Sequence, residues 1–205
     1  MSLFITFEGI EGSGKITQAK RLQDWLISQG YECVFTMEPG GTKISEKIRD
    51  ILLDNKNKGM SRFAELFLYL ADRAQDVEKV IKPALLSNRI VIADRYADST
   101  FAYQGKGRGI LERSIKTMNS LATQGIIPNL TILIDITPEV GFKRISHRDR
   151  MEAELEDFYR SVRSKYLEIA HKNPDRVKVV DGTLAQDEVE KGVRKLVDPL
   201  LQDYS

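Results

Sequence analysis

The segment Phe7-Glu8-Gly9-Ile10-Glu11-Gly12-Ser13-Gly14-Lys15-Ile16-Thr17 carries the residues of this chain best suited to hold an anion. Gly9, Gly12 and Gly14 let the backbone turn tightly and bring its N–H groups close to anionic oxygens. Lys15 adds a mobile cation for the outer phosphates of a nucleotide. A helix starting behind the loop contributes roughly half a positive charge at its N-terminus. With an apolar run before it and an amphipathic run from Thr17 after it, this G-x-x-x-x-G-K segment reads as a P-loop, with residues 9–17 as the nucleoside triphosphate contact. One position breaks the pattern. A Ser or Thr hydroxyl that holds magnesium is expected after Gly-Lys, and Ile16 stands there instead. Thr17 is one residue further, a rotation of about 100° along a helix, so its hydroxyl does not replace the missing one.

Such a loop needs a rigid scaffold. Short apolar runs at Leu3–Phe7, Glu32–Thr36, Ile90–Ala93, Leu130–Ile136 and Val177–Val180 alternate with helical patterns. The helical patterns lie near Thr17–Gln29, Ser45–Leu53, Arg62–Lys82, Leu111–Gln124, Pro138–Ser146, Ala153–His171 and Gln186–Leu200. This alternation predicts an α/β fold with a five-stranded parallel sheet flanked by helices on both faces. At 205 residues without a linker or repeat, one domain over 1–205 is expected. Ligands of such sheets bind beyond the carboxyl ends of the strands.

Composition narrows the class. The net charge of +1 supplies no global field for nucleic acid or a membrane surface. No apolar run approaches the ~18 residues of a spanning helix. The N-terminus enters the first strand at once, leaving no room for a signal peptide. Cys33, the only cysteine, reads as a small buried hydrophobe in a strand and forms no disulfide within the chain. A cytoplasmic enzyme is expected.

The strand ends supply further candidates. Glu38, Pro39 and the paired glycines 40–41 follow the second strand, where Glu38 can hold a metal-bound water. Asp94 closes the third strand, the place of a metal-side carboxylate beside a P-loop, and Arg95 next to it can fork onto a phosphate. Tyr69 and Arg73, four apart, share a helix face. Ser99, Thr100, Tyr103 and Gln104 group hydroxyl, phenol and amide functions that orient and select a ligand, or Ser99 caps a helix start. The basic run from Lys143 to Glu152 holds Arg144, His147, Arg148 and Arg150. It reads as a loop that closes over polyphosphate, or as a solvated face. His147 reads as a surface residue.

In order and spacing the chain resembles bacterial thymidylate kinases over nearly its whole length. The resemblance rests on Phe-Glu-Gly-x-Glu-Gly-x-Gly-Lys at 7–15, Glu-Pro-Gly-Gly-Thr at 38–42 and Asp-Arg-Tyr at 94–96. Ser-Thr-x-Ala-Tyr-Gln-Gly at 99–105, Pro128-Asn129-Leu130 and Arg150-x-Glu152 fit as well. It implies a P-loop kinase fold with a short mobile lid at about 144–152. The implied activity is magnesium-assisted transfer from ATP to dTMP in a homodimer, with no nucleic-acid or membrane partner. By the same resemblance, Lys15 and the loop amides bind ATP, and Glu11 approaches the dTMP sugar. Arg49 and Arg95 bind the acceptor phosphate. Tyr69, standing where the family usually has Phe, stacks on thymine, while Arg73 reaches a thymine carbonyl. Thr100 and Gln104 contact the base, Tyr103 lies under the deoxyribose, and Glu38 and Asp94 serve the metal. No arginine lies in Gly9–Gly14, so the chain resembles the type whose catalytic arginine sits in the lid, with Arg144, Arg148 and Arg150 as candidates. Ile16 and Met37 depart from the family pattern. They leave open a kinase for another nucleoside monophosphate and a nucleotide-binding protein without catalysis.

Overall fold

The computed structural model describes residues 2–145 and 149–202. Five strands, β1 (Phe4–Glu8), β2 (Cys33–Met37), β3 (Ile90–Asp94), β4 (Leu130–Asp135) and β5 (Val177–Asp181), form one sheet. Its order is β2-β3-β1-β4-β5, and every pairing is parallel. The register sets Phe7 and Met37 opposite Asp94. The carboxyl ends of β1, β2 and β3 therefore meet at one edge. The apolar runs mark all five strands, but β1, β3 and β5 each end on an acid, Glu8, Asp94 and Asp181. Ladder hydrogen bonds carry a strand past its last apolar side chain, which hydropathy does not register.

The helices are α1 (Lys15–Ser28), α2 (Lys43–Leu53), α3 (Arg62–Asp76), α4 (Lys82–Leu86), α5 (Ala97–Thr100), α6 (Glu112–Ala122), α7 (Pro138–Arg144), α8 (Glu156–Lys172) and α9 (Gln186–Gln202). Leu22 and Leu26 of α1 and Val193 and Val197 of α9 pack on Ile5, Phe7, Ile92 and Ile132. On the other face Tyr159, Val162 and Tyr166 of α8 cover Leu133 and Val177. Beside them Ile81 and Ala84 cover Phe4, Val91 and Ala93. Burial on both faces is why these strands read as apolar runs rather than as alternating ones. Among the described residues no helix is long and apolar enough to cross a membrane.

The structure departs from the sequence-based expectation at five places. Helix α1 starts at Lys15, not Thr17, because Gly14 takes a left-handed conformation (φ +89°) and its carbonyl accepts the first helical bond from Gln18 N–H. Lys15 and Ile16 thus sit in the first turn, where backbone N–H groups have no intrahelical acceptor. The helix expected over Arg62–Lys82 is broken by a π-helical turn at Val77–Ile81, an inserted residue that a 3.6-residue periodicity does not reveal. A second π-helical turn, Phe101–Gly107, continues α5. Ser99 lies inside α5 rather than capping it, with its hydroxyl on Glu8 Oε2 at 2.6 Å. Cys33 is half-buried rather than buried, and burial pushes its thiol up to about 11.

Candidate active site

Beyond the carboxyl ends of β1, β2 and β3 lies a cleft. Glu11, Lys15 and Ile16 line it from the loop, Glu38 and Pro39 from the end of β2, and Asp94 and Arg95 from the end of β3. The surrounding helices add Arg49, Tyr69, Arg73, Ser99, Thr100, Tyr103 and Gln104. Separated by up to 93 positions in sequence, these residues meet because the sheet order puts β1 between β3 and β4. Leu53, Asp149, Met151 and Glu152 also line the cleft; the last three fall in the run expected to form a lid, and no local motif marks Leu53.

The loop is held against its neighbours by glycine. A Cβ on Gly12 would stand 2.5 Å from the Gly141 carbonyl oxygen, and one on Gly141 would stand 2.5 Å from the Glu11 carbonyl oxygen. The start of α7 and the loop therefore touch backbone to backbone. Lys15 is 7% exposed, and its ammonium makes no hydrogen bond or ion pair among the described residues. Burial and the nearby Arg95 lower its pKa, against the pull of Asp94 and Glu11. A free ammonium, desolvated and poorly compensated, is a strong anion ligand. Ile16 lines the cleft, whereas Thr17 is exposed and does not.

Arg95 takes φ +71°, a left-handed conformation that turns the chain out of β3. Its guanidinium donates to Glu11 Oε1 at 2.7 Å and Tyr103 Oη at 3.0 Å, and to Ser99 Oγ at 3.3 Å and Tyr166 Oη at 3.2 Å. Tyr103 Oη donates to Glu11 Oε2 at 2.6 Å. Below them lies Glu8, fully buried. It accepts from Tyr96 N–H, from the Ser99 hydroxyl and, at 2.7 Å, from Tyr166 Oη. Burial raises its pKa, opposed by Arg95 and these hydrogen bonds. Glu8 and Tyr166 were not singled out from sequence. A lone acid closing an apolar run was the available signal for Glu8, and none existed for Tyr166, which is 158 positions away.

Arg73 is buried, with four hydrogen bonds and a further ion-pair contact from its Nη2 to Glu38. They go to Glu38 Oε2 from both Nε and Nη2, to Thr100 Oγ1 at 2.6 Å, to Asn119 Oδ1 at 2.7 Å and to the Tyr96 carbonyl at 2.9 Å. Glu38 keeps one carboxylate oxygen without a partner, and so does Asp94. Burial raises the Glu38 pKa, partly offset by Arg73. Arg49 donates to the Pro39 carbonyl at 2.7 Å, which ties α2 to the turn that carries Glu38.

The lid arginines have different surroundings. Arg144 reaches the P-loop, donating to the carbonyls of Gly12 at 3.2 Å and Gly182 at 3.0 Å. Arg150 is turned inward, 5% exposed, and donates to the Leu52 carbonyl at 2.6 Å and to Glu65 Oε2 at 2.7 Å. His147 and Arg148 lie outside the described residues. Among the described residues no cluster of three or more acid, His or Cys side chains forms a metal cage.

A family model described as thymidylate kinase matches residues 7–193. The thymidylate kinase of Pelobacter propionicus is 49% identical over 202 residues, covering 94% of this chain and 92% of that protein. The one from Oleidesulfovibrio alaskensis is 46% identical over 205 residues, covering 95% and 97%. The crystal structure of thymidylate kinase from Ehrlichia chaffeensis superposes with a TM-score of 0.80 at 38% identity, covering 96% of this chain and 98% of that one. The motif-bearing strand ends, the parallel sheet and these full-length likenesses coincide: the chain belongs to the thymidylate kinase family.

Proposed function

We propose that this chain transfers the γ-phosphoryl group of ATP to dTMP, giving dTDP and ADP. The observation that carries the reading is one cleft with two cationic poles. Lys15, without a partner among the described residues, and Arg95, held by Glu11, both line it, together with Tyr69, Tyr103 and Gln104. Phosphoryl transfer needs little covalent help from a protein, so holding both phosphates in line and neutralising their charge supplies most of the rate.

In this reading the amides of Gly9 to Thr17 and the Lys15 ammonium grip the ATP phosphates. Arg95 leaves Glu11 for the dTMP phosphate, assisted by Arg49, and freed Glu11 turns to the sugar beside Tyr103. Tyr69 and Pro39 sandwich the base, and Thr100 and Gln104 meet its polar edge, with Ser99 holding Arg95 in place. Every Arg73 nitrogen has a partner in this conformation, so it meets a base carbonyl only by giving up one of its partners; otherwise it acts by fixing Glu38 and Thr100. Arg144, next to the loop, is the described lid arginine best placed for the transferring phosphate, with Arg148 as the candidate outside the described residues. Arg150 serves as the lid's anchor.

The residues present fit a magnesium ion. Asp94 offers a buried carboxylate oxygen that nothing else uses, with Glu38 available through water. The lack of a protein cage suits a cation held mainly by phosphates and waters. Such an ion neutralises phosphate charge in flight. We further propose a homodimer in the cytoplasm. Its support is the exposed apolar set Ile44 and Ile51 on α2 with Phe63 and Phe67 on α3, and sedimentation velocity checks it.

A coupled assay of ADP release with and without dTMP tests the activity. ADP released only with dTMP, over dUMP, dCMP, UMP and AMP, is the expected result. Binding of ATP and dTMP without dTDP formation would replace it by a nucleotide-binding role.

A further inference from the structure

Gln104 lines the cleft, as do Thr100 and Tyr69. Behind it, away from the cleft, stands Glu65 in the first turn of α3, 1% exposed. Four donors converge on this carboxylate. Arg108 Nε and Gln104 Nε2 each donate to Oε1 at 3.0 Å. Arg108 Nη2 donates to Oε2 at 3.0 Å, and Arg150 Nη1 donates to the same oxygen at 2.7 Å. A carboxylate has about four lone-pair sites, so this one is saturated. Burial alone would raise the Glu65 pKa, and the hydrogen bonds from Arg108, Gln104 and Arg150 outweigh it and hold the carboxyl below its ordinary value. It is ionised, and an ionised carboxylate only accepts.

That fixes which end of the Gln104 amide points where. The nitrogen must face Glu65. The carbonyl oxygen, to which nothing among the described residues donates, is left for the cleft, next to the second Nε2 proton. A 180° turn about the terminal torsion would set two acceptors against each other inside the protein, at the cost of an unpaired buried polar group.

We infer that Glu65 is a positioning residue that locks the Gln104 carboxamide in one orientation and thereby makes the acceptor site select a pyrimidine-2,4-dione over a 4-aminopyrimidine. This rests on the cleft being the pyrimidine acceptor site. A 2,4-dione presents N3–H as a donor flanked by carbonyl acceptors, which matches an acceptor with a donor beside it. Cytosine presents N3 as an acceptor and a 4-amino donor, which only the turned carboxamide would match. A site built to hydrogen-bond one pattern rejects the other because its own buried groups go unpaired. Arg150 ties the same carboxylate to the lid, so the lock and the closed end of the lid share one anchor.

The test compares kcat/KM for dTMP and dCMP within each variant, a ratio in which the active fraction cancels. Glu65→Gln can both donate and accept, so it releases the lock. The expected result is a fall of about tenfold or more in the dTMP to dCMP ratio. An unchanged ratio overturns the inference. Gln104→Met tests the underlying reading separately: if it leaves dTMP turnover intact, Gln104 does not touch the base and the acceptor-site assignment fails whatever Glu65 does. Since Glu65 also neutralises two guanidiniums, a measurement on the unaltered chain complements the variant. Side-chain amide NMR should show one Gln104 Nε2 proton protected from solvent exchange and the other not. Two equally exchanging protons would overturn the lock.

Discussion

Ile16 lies in the first turn of α1, 43% exposed, on the wall of the cleft where a metal-binding hydroxyl is expected. In the proposed reading the missing hydroxyl would be one neutral ligand of an ion otherwise served by phosphates, waters and Asp94. Its loss is worth on the order of 1–3 kcal/mol, as for one polar partner of a charged group. Ile16→Thr is therefore expected to raise turnover roughly ten- to a hundredfold at limiting magnesium, read as the magnesium concentration giving half-maximal rate. An unaltered magnesium curve would show that the ion never leaned on this position. Arg95 is the other residue on which the proposed chemistry turns. Its guanidinium is paired with Glu11 only across a hydrogen-bonded edge, and an incoming phosphate competes for the same donors. Arg95→Ala should lower kcat/KM for dTMP by about a hundredfold or more, as removal of a charge-stabilising donor does, with ATP affinity little changed. Near-normal kcat/KM would remove Arg95 from the acceptor site.

The proposed lid begins at the end of α7 and divides its work between two arginines. Its first arginine, Arg144, bonds to backbone carbonyls of the P-loop and of the turn after β5. Arg150, six residues later, is buried between α2 and α3. One end thus touches the P-loop, and the other is pinned between α2 and α3. Arg150→Ala leaves Glu65 with Arg108 as its only remaining cation and opens a cavity. It should destabilise the chain by about 3 kcal/mol, the lower end for breaking a buried pair, read as a lower denaturation midpoint. Arg144 is exposed, so Arg144→Ala should leave that midpoint within about 0.5 kcal/mol while reducing kcat. The reverse pattern, stability lost at 144 and turnover alone at 150, would interchange the two roles. The close approach of Gly12 and Gly141 couples the loop to α7 in the same way, by backbone contact rather than by side chains.

Over the whole molecule, stability is tied to pH through acids that the fold buries under the turn carrying Glu38. Asp76 accepts from Thr36 Oγ1 at 2.7 Å and Asp72 from Gly40 N–H at 2.9 Å, and each has a second oxygen without a partner. Burial pushes Asp76 up to about 7 and Asp72 up to about 6, from 3.8, with Arg73 and hydrogen bonds only partly opposing it. A folded pKa above the unfolded one means that the native state holds a proton the unfolded chain has released. The stabilisation is complete below about 3.8 and is lost as pH rises toward about 7. At about 1.4 kcal/mol per unit the two acids together contribute on the order of 7 kcal/mol. Asp76→Asn should flatten the decline in denaturation midpoint between roughly pH 4 and 7; a decline as steep as in the unaltered chain would place the titration elsewhere. The sequence by itself determined the five strands, the glycine loop and the residues lining the cleft from Glu11 to Gln104 except Leu53. Those signals are local: apolar runs, glycine spacing and acids at strand ends. It also located the departure at Ile16, since a missing hydroxyl shows in a motif of fixed spacing. Only the tertiary structure decided that Lys15 has no partner among the described residues, that every Arg73 nitrogen has one, that Arg150 is an anchor and that Glu8, Glu65 and Tyr166 organise the site. These facts depend on contacts between positions 23 to 158 apart. No local periodicity encodes which buried donor meets which acceptor once the helices have docked on the sheet.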